Sequence, residues 1–405
     1  MPDYDVIVIG AGPAGACTAI HAARQGLQVL LLDQYKFPRE KPCGDALSSM
    51  AISELNSLGL LPRLLDIPHT PVQKITYHSS DGSSVTVPLL KMDESAPATS
   101  IICRRILLDS LLMEVAAEAG VEIVDWCRVT EIMSKNGQAC GVKAERGGGR
   151  KISWTAKVVV GADGSESIVA RQMGMPRYHE YRALAVRGYY RQVLGIRGNI
   201  EIHFPEEVLP GYVWFHPTET SQTNVGLTIP MDVVKDTNFK PKQALKRALD
   251  SPGLKERFAF AEQMGEIEAG VLPVGNVMKE IHGNGFMLVG DAAGLVNPCS
   301  SDGTTNSIIS ARIAGDVLAK ACAGNSWDEA ALREYPYILW KEIGPSLEMG
   351  SRLAGLRTKK AIGSLIRSAS RRPHNAGWIS GVLLGSALPS EDLEDFLAYI
   401  NFFAK

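Results

Sequence analysis

Gly10, Gly12 and Gly15 stand at G-x-G-x-x-G spacing, and an acid, Asp33, follows 23 residues after the first of them. Glycines so spaced can bring a pyrophosphate against bare backbone, and an acid at that distance can take ribose hydroxyls. Gly10 would allow the tight turn, Gly12 the approach of the phosphates, and Gly15 the packing of a helix on a strand. Pro13 and Ala14 lie in the same turn, ahead of a helix whose N-terminal N–H groups and dipole favour an anion. Further candidates lie downstream. Cys43 and Gly44 sit in a polar loop, and Arg105 and Asp109 are spaced to share a helix face. Asp163-Gly164 and Gly290-Asp291 each end an apolar run, and Gly303-Thr304 open a long segment. Tyr212 and Trp214 alternate along a run of strand-forming residues, which puts both on one side.

Elements suited to hold these residues can be read around them. Val6 to Ile9 are apolar and β-branched, as in a buried parallel strand. Ala16 to Arg24 suit a helix, Gly26 its C-cap, and Val29 to Leu32 a second strand ending at Asp33. The stretch therefore binds a dinucleotide, and by itself it does not separate NAD from FAD. A hairpin is expected over 75–87, a strand over 101–105, a helix from Arg105 to Ala119, and a three-strand meander over 128–155. Lys157 to Gly161 read as another buried strand, and Gly285 to Asp291 as a return to the first domain. Strands are expected over 183–190, 200–204, 212–216 and 223–228, with helices at 242–250, 255–260 and 303–323 and from Trp327 to the end. Taken singly, Asp163-Gly164 reads equally as a simple turn and Asp291 as a helix N-cap.

Composition narrows the classes. The chain has 405 residues, 45% of them hydrophobic and 21% charged, with a formal net charge of −2. That length holds two or three domains, and that balance gives no pull toward nucleic acid. No signal peptide is expected ahead of the first strand, and no apolar run reaches a membrane span, the longest late one being Trp378 to Leu388. The seven cysteines fall in no metal-binding spacing, so the expectation is a cytoplasmic chain with free thiols and no metal site.

The ordered set, from G-x-G-x-x-G through Arg105, Asp163-Gly164 and Gly290-Asp291, resembles the FAD-dependent oxidoreductases of the para-hydroxybenzoate hydroxylase fold. That resemblance implies that Asp291 reaches the flavin's ribityl or pyrophosphate oxygens, that Arg105 contacts the flavin chain, and that Asp163 closes the loop near the pyrophosphate. Within that group, Lys41-Pro-Cys43-Gly44-Asp45 and Leu209-Pro-Gly-Tyr212-Val-Trp214-Phe-His-Pro217 resemble motifs of the geranylgeranyl reductase family. Two departures stand out: His216 occupies the position of the motif's Phe, and Ser301 replaces a glycine in the Pro298 to Gly303 loop.

The resemblance implies an α/β (α+β) fold: a Rossmann-like FAD-binding domain interleaved with an antiparallel-sheet substrate domain, plus C-terminal helices. The FAD-binding domain is expected over 1–68, 98–175 and 265–330, the substrate domain over 69–97 and 176–264, and the helical region over 331–405. FAD would be held by Gly10, Gly12, Pro13, Ala14, Gly15, Asp33, Cys43, Gly44, Arg105, Asp163, Gly164, Gly290, Asp291, Gly303 and Thr304. Cys43, Tyr212 and Trp214 would be the catalytic residues, against an isoprenoid or other apolar substrate. The chemistry implied is reduction of carbon–carbon double bonds, with NAD(P)H or ferredoxin as electron donor. An electron-donor protein would then be a partner. A flavin monooxygenase or halogenase is the rival, although halogenases of this type resemble Gly-Trp-x-Trp-x-Ile-Pro, unlike Gly211-Tyr-Val-Trp-Phe-His-Pro217. Cys43 reads equally as an inert thiol, Tyr212 and Trp214 as core packing, and His216 as a hydrogen-bonded strand-end residue. Seven basic residues between Arg352 and Arg372 (352, 357, 359, 360, 367, 371 and 372), interleaved with Leu353, Leu356, Ile362, Leu365 and Ile366, read either as a solvated helix face or as a peripheral membrane-surface helix.

Overall fold

The structure is a computed structural model, and it describes residues 2–89, 100–175, 182–196, 198–219, 221–231, 240–275, 280–355 and 359–371. The run at Trp378 to Leu388 and the end of the helical region lie outside the described residues.

The first sheet has the strand order His282–Gly283, Phe286–Leu288, Arg150–Gly161, Tyr4–Ile9, Val29–Leu32, Glu122–Val124. Its core is parallel, with Val8 opposite Val160 on one side and Leu31 on the other. Val6 to Ile9 and Val29 to Leu32 are fully buried, which is why they read as unbroken apolar runs rather than alternating ones. The meander is present as Cys127–Lys135 and Gln138–Arg146 leading into the long Arg150–Gly161 strand. Helix Pro13–Arg24 packs on the sheet and helices Arg105–Glu118 and Thr304–Ala323 pack against it, with Ile20, Leu108, Leu112, Ile308 and Leu318 in one core, all shut off from solvent.

The second sheet is seven-stranded and mostly antiparallel, in the order Glu262–Pro273, Arg182–Arg191, Gln222–Pro230, Tyr212–Pro217, Ile200–Phe204, Lys74–Ser79, Ser84–Pro88. It gathers the early hairpin and the later strands into one layer. The expected boundary at 265 falls inside its edge strand, Glu262–Pro273, which pairs with Arg182–Arg191 along its length. None of its residues is fully buried and its first half is rich in Glu and Gly, so it shows no apolar alternation. A small third sheet of Ala46–Leu47, Ser100–Ile102 and Thr70–Val72 joins the two. Ala46 and Leu47 therefore belong to a strand, and the helix Ser49–Ser57 follows it, capped by Ser48 Oγ accepting from Ala51 N. The helix expected over 255–260 is a short 3-10 turn, Lys255–Phe258.

Alternation along Tyr212–Pro217 sorts its side chains. Val213 and Phe215 pack into one apolar cluster with Ala244, Leu245 and Leu249 of the helix Pro241–Leu249. Tyr212 and Trp214 face the other way, into a cluster with Tyr77, Phe204 and Cys299. That second cluster is roofed by Leu353 of the helix Glu334–Gly355 and by Ile362, Leu365 and Ile366 of the helix Lys359–Arg371. The helix Lys359–Arg371 therefore turns its aliphatic residues inward. Leu353, Ile362, Leu365 and Ile366 are buried over the second sheet, while Arg352 pairs with Glu348 and Arg367 with Asp81. Leu356, Arg357 and Arg372 lie outside the described residues. Among the described residues no helix is long and apolar enough to cross a membrane.

Candidate active site

The glycine-rich turn has the geometry its spacing predicts. Gly10 takes φ +99°, and a Cβ there would sit 2.4 Å from the Ala162 carbonyl oxygen. A Cβ on Gly15 would lie 1.8 Å from the Gly10 carbonyl oxygen, so the helix can approach the strand only without one. Gly12 differs: a Cβ there would meet nothing closer than Arg105 Nη2 at 3.5 Å and Arg39 Nη2 at 3.9 Å. The turn therefore leaves open space between the first turn of the helix Pro13–Arg24 and two guanidinium groups. Asp33 ties the turn to the second strand, with Oδ2 accepting from Ala11 N at 2.8 Å and Oδ1 from Tyr35 N at 2.9 Å.

Arg105 and Asp109 form a bidentate pair at 2.7 and 2.8 Å. Burial opposes the Arg105 charge, but the Asp109 carboxylate outweighs it and moves its pKa up. Arg39 is a member of the site that the motifs do not mark. It bonds Asp109 Oδ2 at 3.0 Å, lies 3.6 Å from Asp33, and stacks over Phe37. A lone Arg in a polar loop carries no periodic signal, although its place shortly after the strand-ending acid does suggest a phosphate contact.

Asp163 accepts from Ile168 N through Oδ2, while Oδ1 is buried with no partner. Burial raises its pKa. A buried acceptor without a donor is costly, and a hydroxyl-bearing ligand would satisfy it. Gly290 abuts Ala14 and Ser307, so a Cβ would fall 2.7 Å from each. Gly303 faces Asp291, whose Oδ1 would lie 3.0 Å from a Cβ on that glycine. Thr304 begins the helix behind them. A two-phosphate, polyhydroxyl cofactor therefore fits: an open cradle at Gly12, two cations facing it, and an orphaned acceptor at Asp163.

The second half of the site joins the Cys43 loop to the second sheet. Asn224 bridges them, accepting from Trp214 Nε1 at 3.0 Å and donating to the Cys43 carbonyl at 2.8 Å and to Asp45 Oδ2 at 2.7 Å. Gly226, opposite Trp214, makes room for the indole, since a Cβ there would lie 2.0 Å from the ring. The His216 Nδ1–H donates to the Gly44 carbonyl at 2.6 Å, because that oxygen can only accept. Burial lowers the His216 pKa to about 4, which leaves the ring neutral at neutral pH. The hydrogen-bonded strand-end role thus accounts for His216. The Cys43 side chain lies against the Arg105 guanidinium.

Tyr212 donates from its hydroxyl to the Ser300 carbonyl at 2.8 Å, reaching the Pro298 to Gly303 loop. Ser301 in that loop takes φ +58°, the left-handed region where the family pattern has glycine. The loop holds this shape because Asn297 Oδ1 accepts from Cys299 N and Ser300 N. Trp214 is therefore tied to Cys43 through Asn224 at the seam between the Cys43 loop and the second sheet, while Tyr212 reaches Ser300 and packs edge-on against Trp214.

Asp45, which the sequence shows only as part of the Cys-Gly-Asp run, is the hub of this seam. It is 1% exposed and takes φ +62°. It accepts from the Tyr189 hydroxyl at 2.6 Å, from Asn224, and from Arg105 N at 3.2 Å. Burial raises its pKa in spite of these donors. Asp45→Ala would strip three buried donors of their acceptor, so we expect a loss of about 2–4 kcal/mol in unfolding free energy, read from urea denaturation. An unchanged midpoint would mean that water replaces the carboxylate.

Comparison with known proteins agrees with this geometry. A family model described as "FAD binding domain" matches residues 3–336. The chain is 30% identical to the menaquinone reductase of Mycolicibacterium smegmatis, covering 96% of this chain and 93% of that protein. It is 30% identical to digeranylgeranylglycerophospholipid reductase 1 of Methanosphaera stadtmanae, covering 86% and 82%. A geranylgeranyl bacteriochlorophyll reductase-like structure from Thermoplasma acidophilum superimposes with a TM-score of 0.83 at 22% identity, covering 97% and 98%. The myxobacterial chondrochloren halogenase CndH shares the fold at 21% identity with a TM-score of 0.75, covering 96% and 98%.

Proposed function

We propose that this chain, which belongs to the FAD-dependent oxidoreductases of the geranylgeranyl reductase and menaquinone reductase type, reduces carbon–carbon double bonds of an isoprenoid. The observation that carries the reading is the direction of Tyr212 and Trp214. They turn away from the Phe215 core, Trp214 toward the Cys43 loop and Tyr212 toward the Ser300 loop, beneath a buried aliphatic roof.

FAD, when bound and reduced, supplies a hydride from its N5. The chain's own residues do the rest. Arg105, Arg39 and the N–H groups after Gly12 hold the pyrophosphate, Asp33 the ribose hydroxyls, and Asp163 and Asp291 the remaining hydroxyls. Tyr212, Trp214 and the cluster around them exclude water and fix an alkene that has no polar handle. The second alkene carbon needs a proton. The Tyr212 hydroxyl hydrogen is committed to Ser300, and the Nδ1–H of neutral His216 to Gly44. The Cys43 thiol is left as the donor. The electron donor, NAD(P)H or a ferredoxin, docks from outside, because the single G-x-G-x-x-G serves FAD.

Anaerobic mixing of the reduced holoenzyme with a polyprenyl substrate should restore the oxidised flavin absorbance without oxygen. A flavin that stays reduced until oxygen is admitted, with oxygen consumption then stimulated by substrate, would favour the monooxygenase or halogenase reading.

A further inference from the structure

On the face of the second sheet turned away from Tyr212 and Trp214, three side chains come together. Glu201 and His203 lie two residues apart on Ile200–Phe204, and His78 pairs directly with His203 from the neighbouring parallel strand. His203 Nε2 is 3.0 Å and His78 Nε2 is 3.5 Å from the same oxygen, Glu201 Oε2. His78 Nε2 is shut off from solvent and makes no hydrogen bond. We propose that His78, Glu201 and His203 form a binding site for a divalent transition ion of the zinc type.

The spacing supports this. With zinc–ligand bonds of about 2.0–2.1 Å, ligand atoms at adjacent corners of a tetrahedron lie about 3.3 Å apart. The two measured edges straddle that value. Two imidazoles and one carboxylate are a known zinc donor set, with water in the fourth place. The anion is already held in position. Arg257 grips both Glu201 oxygens, and its Nε donates to the Leu194 carbonyl. A donor behind a ligating carboxylate orients it as an outer-shell partner does, although its positive charge tempers the affinity. The imidazoles of His78 and His203 stack, with centroids 4.2 Å apart and planes 4° from parallel. Parallel rings cannot both aim a lone pair at one ion. His78, the more exposed of the two, must therefore tilt on binding, and the ring proton of His203 must sit on Nδ1. The spacing of the sequence hides this site, because His78 and His203 are 125 residues apart and only strand pairing joins them.

The test is calorimetric titration of zinc into the chelator-treated, FAD-loaded full chain. The expected result is one ion per chain, with affinity falling at least about tenfold in His78→Ala, the loss of one ligand. His78→Phe is the second variant, since it keeps a stacking ring and removes the nitrogen. Both should retain FAD and alkene reduction, because the cluster is on the far face of the sheet. Wild-type chain that takes up no zinc, or variants that bind it as tightly as wild type, would overturn the proposal.

Discussion

Gly12→Leu protein should purify colourless, folded and unable to take up FAD. The geometry makes the effect specific. A Cβ at Gly12 is only in ordinary contact with Arg105, so the polypeptide itself tolerates the first carbon. The rest of a leucine side chain would stand where the pyrophosphate must lie, between the helix N-terminus and the two guanidinium groups. Losing two charge-assisted hydrogen bonds costs about 3–4 kcal/mol, a weakening of more than about 100-fold in affinity. Gly15→Leu should behave differently. The Gly10 carbonyl lies 1.8 Å from the new Cβ, so this variant should fail to fold rather than merely fail to bind. Far-ultraviolet circular dichroism with flavin absorbance separates the two. A yellow Gly12→Leu protein would mean that the pyrophosphate is held elsewhere.

Cys43→Ala should keep FAD and accept electrons into it, yet reduce the alkene about 100-fold more slowly, the usual range for a lost proton donor. The Cys43 carbonyl, not its thiol, is the group bonded to Asn224, so the loop should stay in place without the sulfur. Trp214→Ala should act differently, raising KM more than it lowers kcat, because the indole packs in the aliphatic cluster. Single-turnover rates under argon, with the flavin reduced beforehand, measure both. If Cys43→Ala reduces substrate at the wild-type rate, the proton comes from elsewhere, and the inert-thiol reading of Cys43 stands.

Local chemistry makes much of this protein legible in its sequence. The glycine turn, its helix and the buried strands announce themselves because backbone sterics and apolar periodicity act over a few neighbouring residues. Alternation places Tyr212 and Trp214 on one face, but which face they share cannot be chosen from their strand alone. That choice depends on the helix Lys359–Arg371, whose aliphatic stripe covers their cluster. The same stripe suggests a membrane surface because a sequence shows an apolar face without showing what covers it. Arg39, Asp45, Tyr189 and Asn224 stay hidden for a related reason. Asp45, Tyr189 and Asn224 take their roles from one another across 144 and 179 residues, when the Cys43 loop meets the second sheet, and Arg39 takes its role from Asp109, 70 residues away on the helix Arg105–Glu118.

The most direct measurement is the mass of the product. The reduced holoenzyme would be incubated under argon with polyprenyl lipids and the products analysed by mass spectrometry. A gain of two hydrogens per double bond reduced, with deuterium entering both of its carbons in deuterated solvent because the flavin N5–H exchanges as well, is the predicted result. A substrate recovered unchanged under argon, and carrying added oxygen or halogen once air and halide are supplied, would contradict the account.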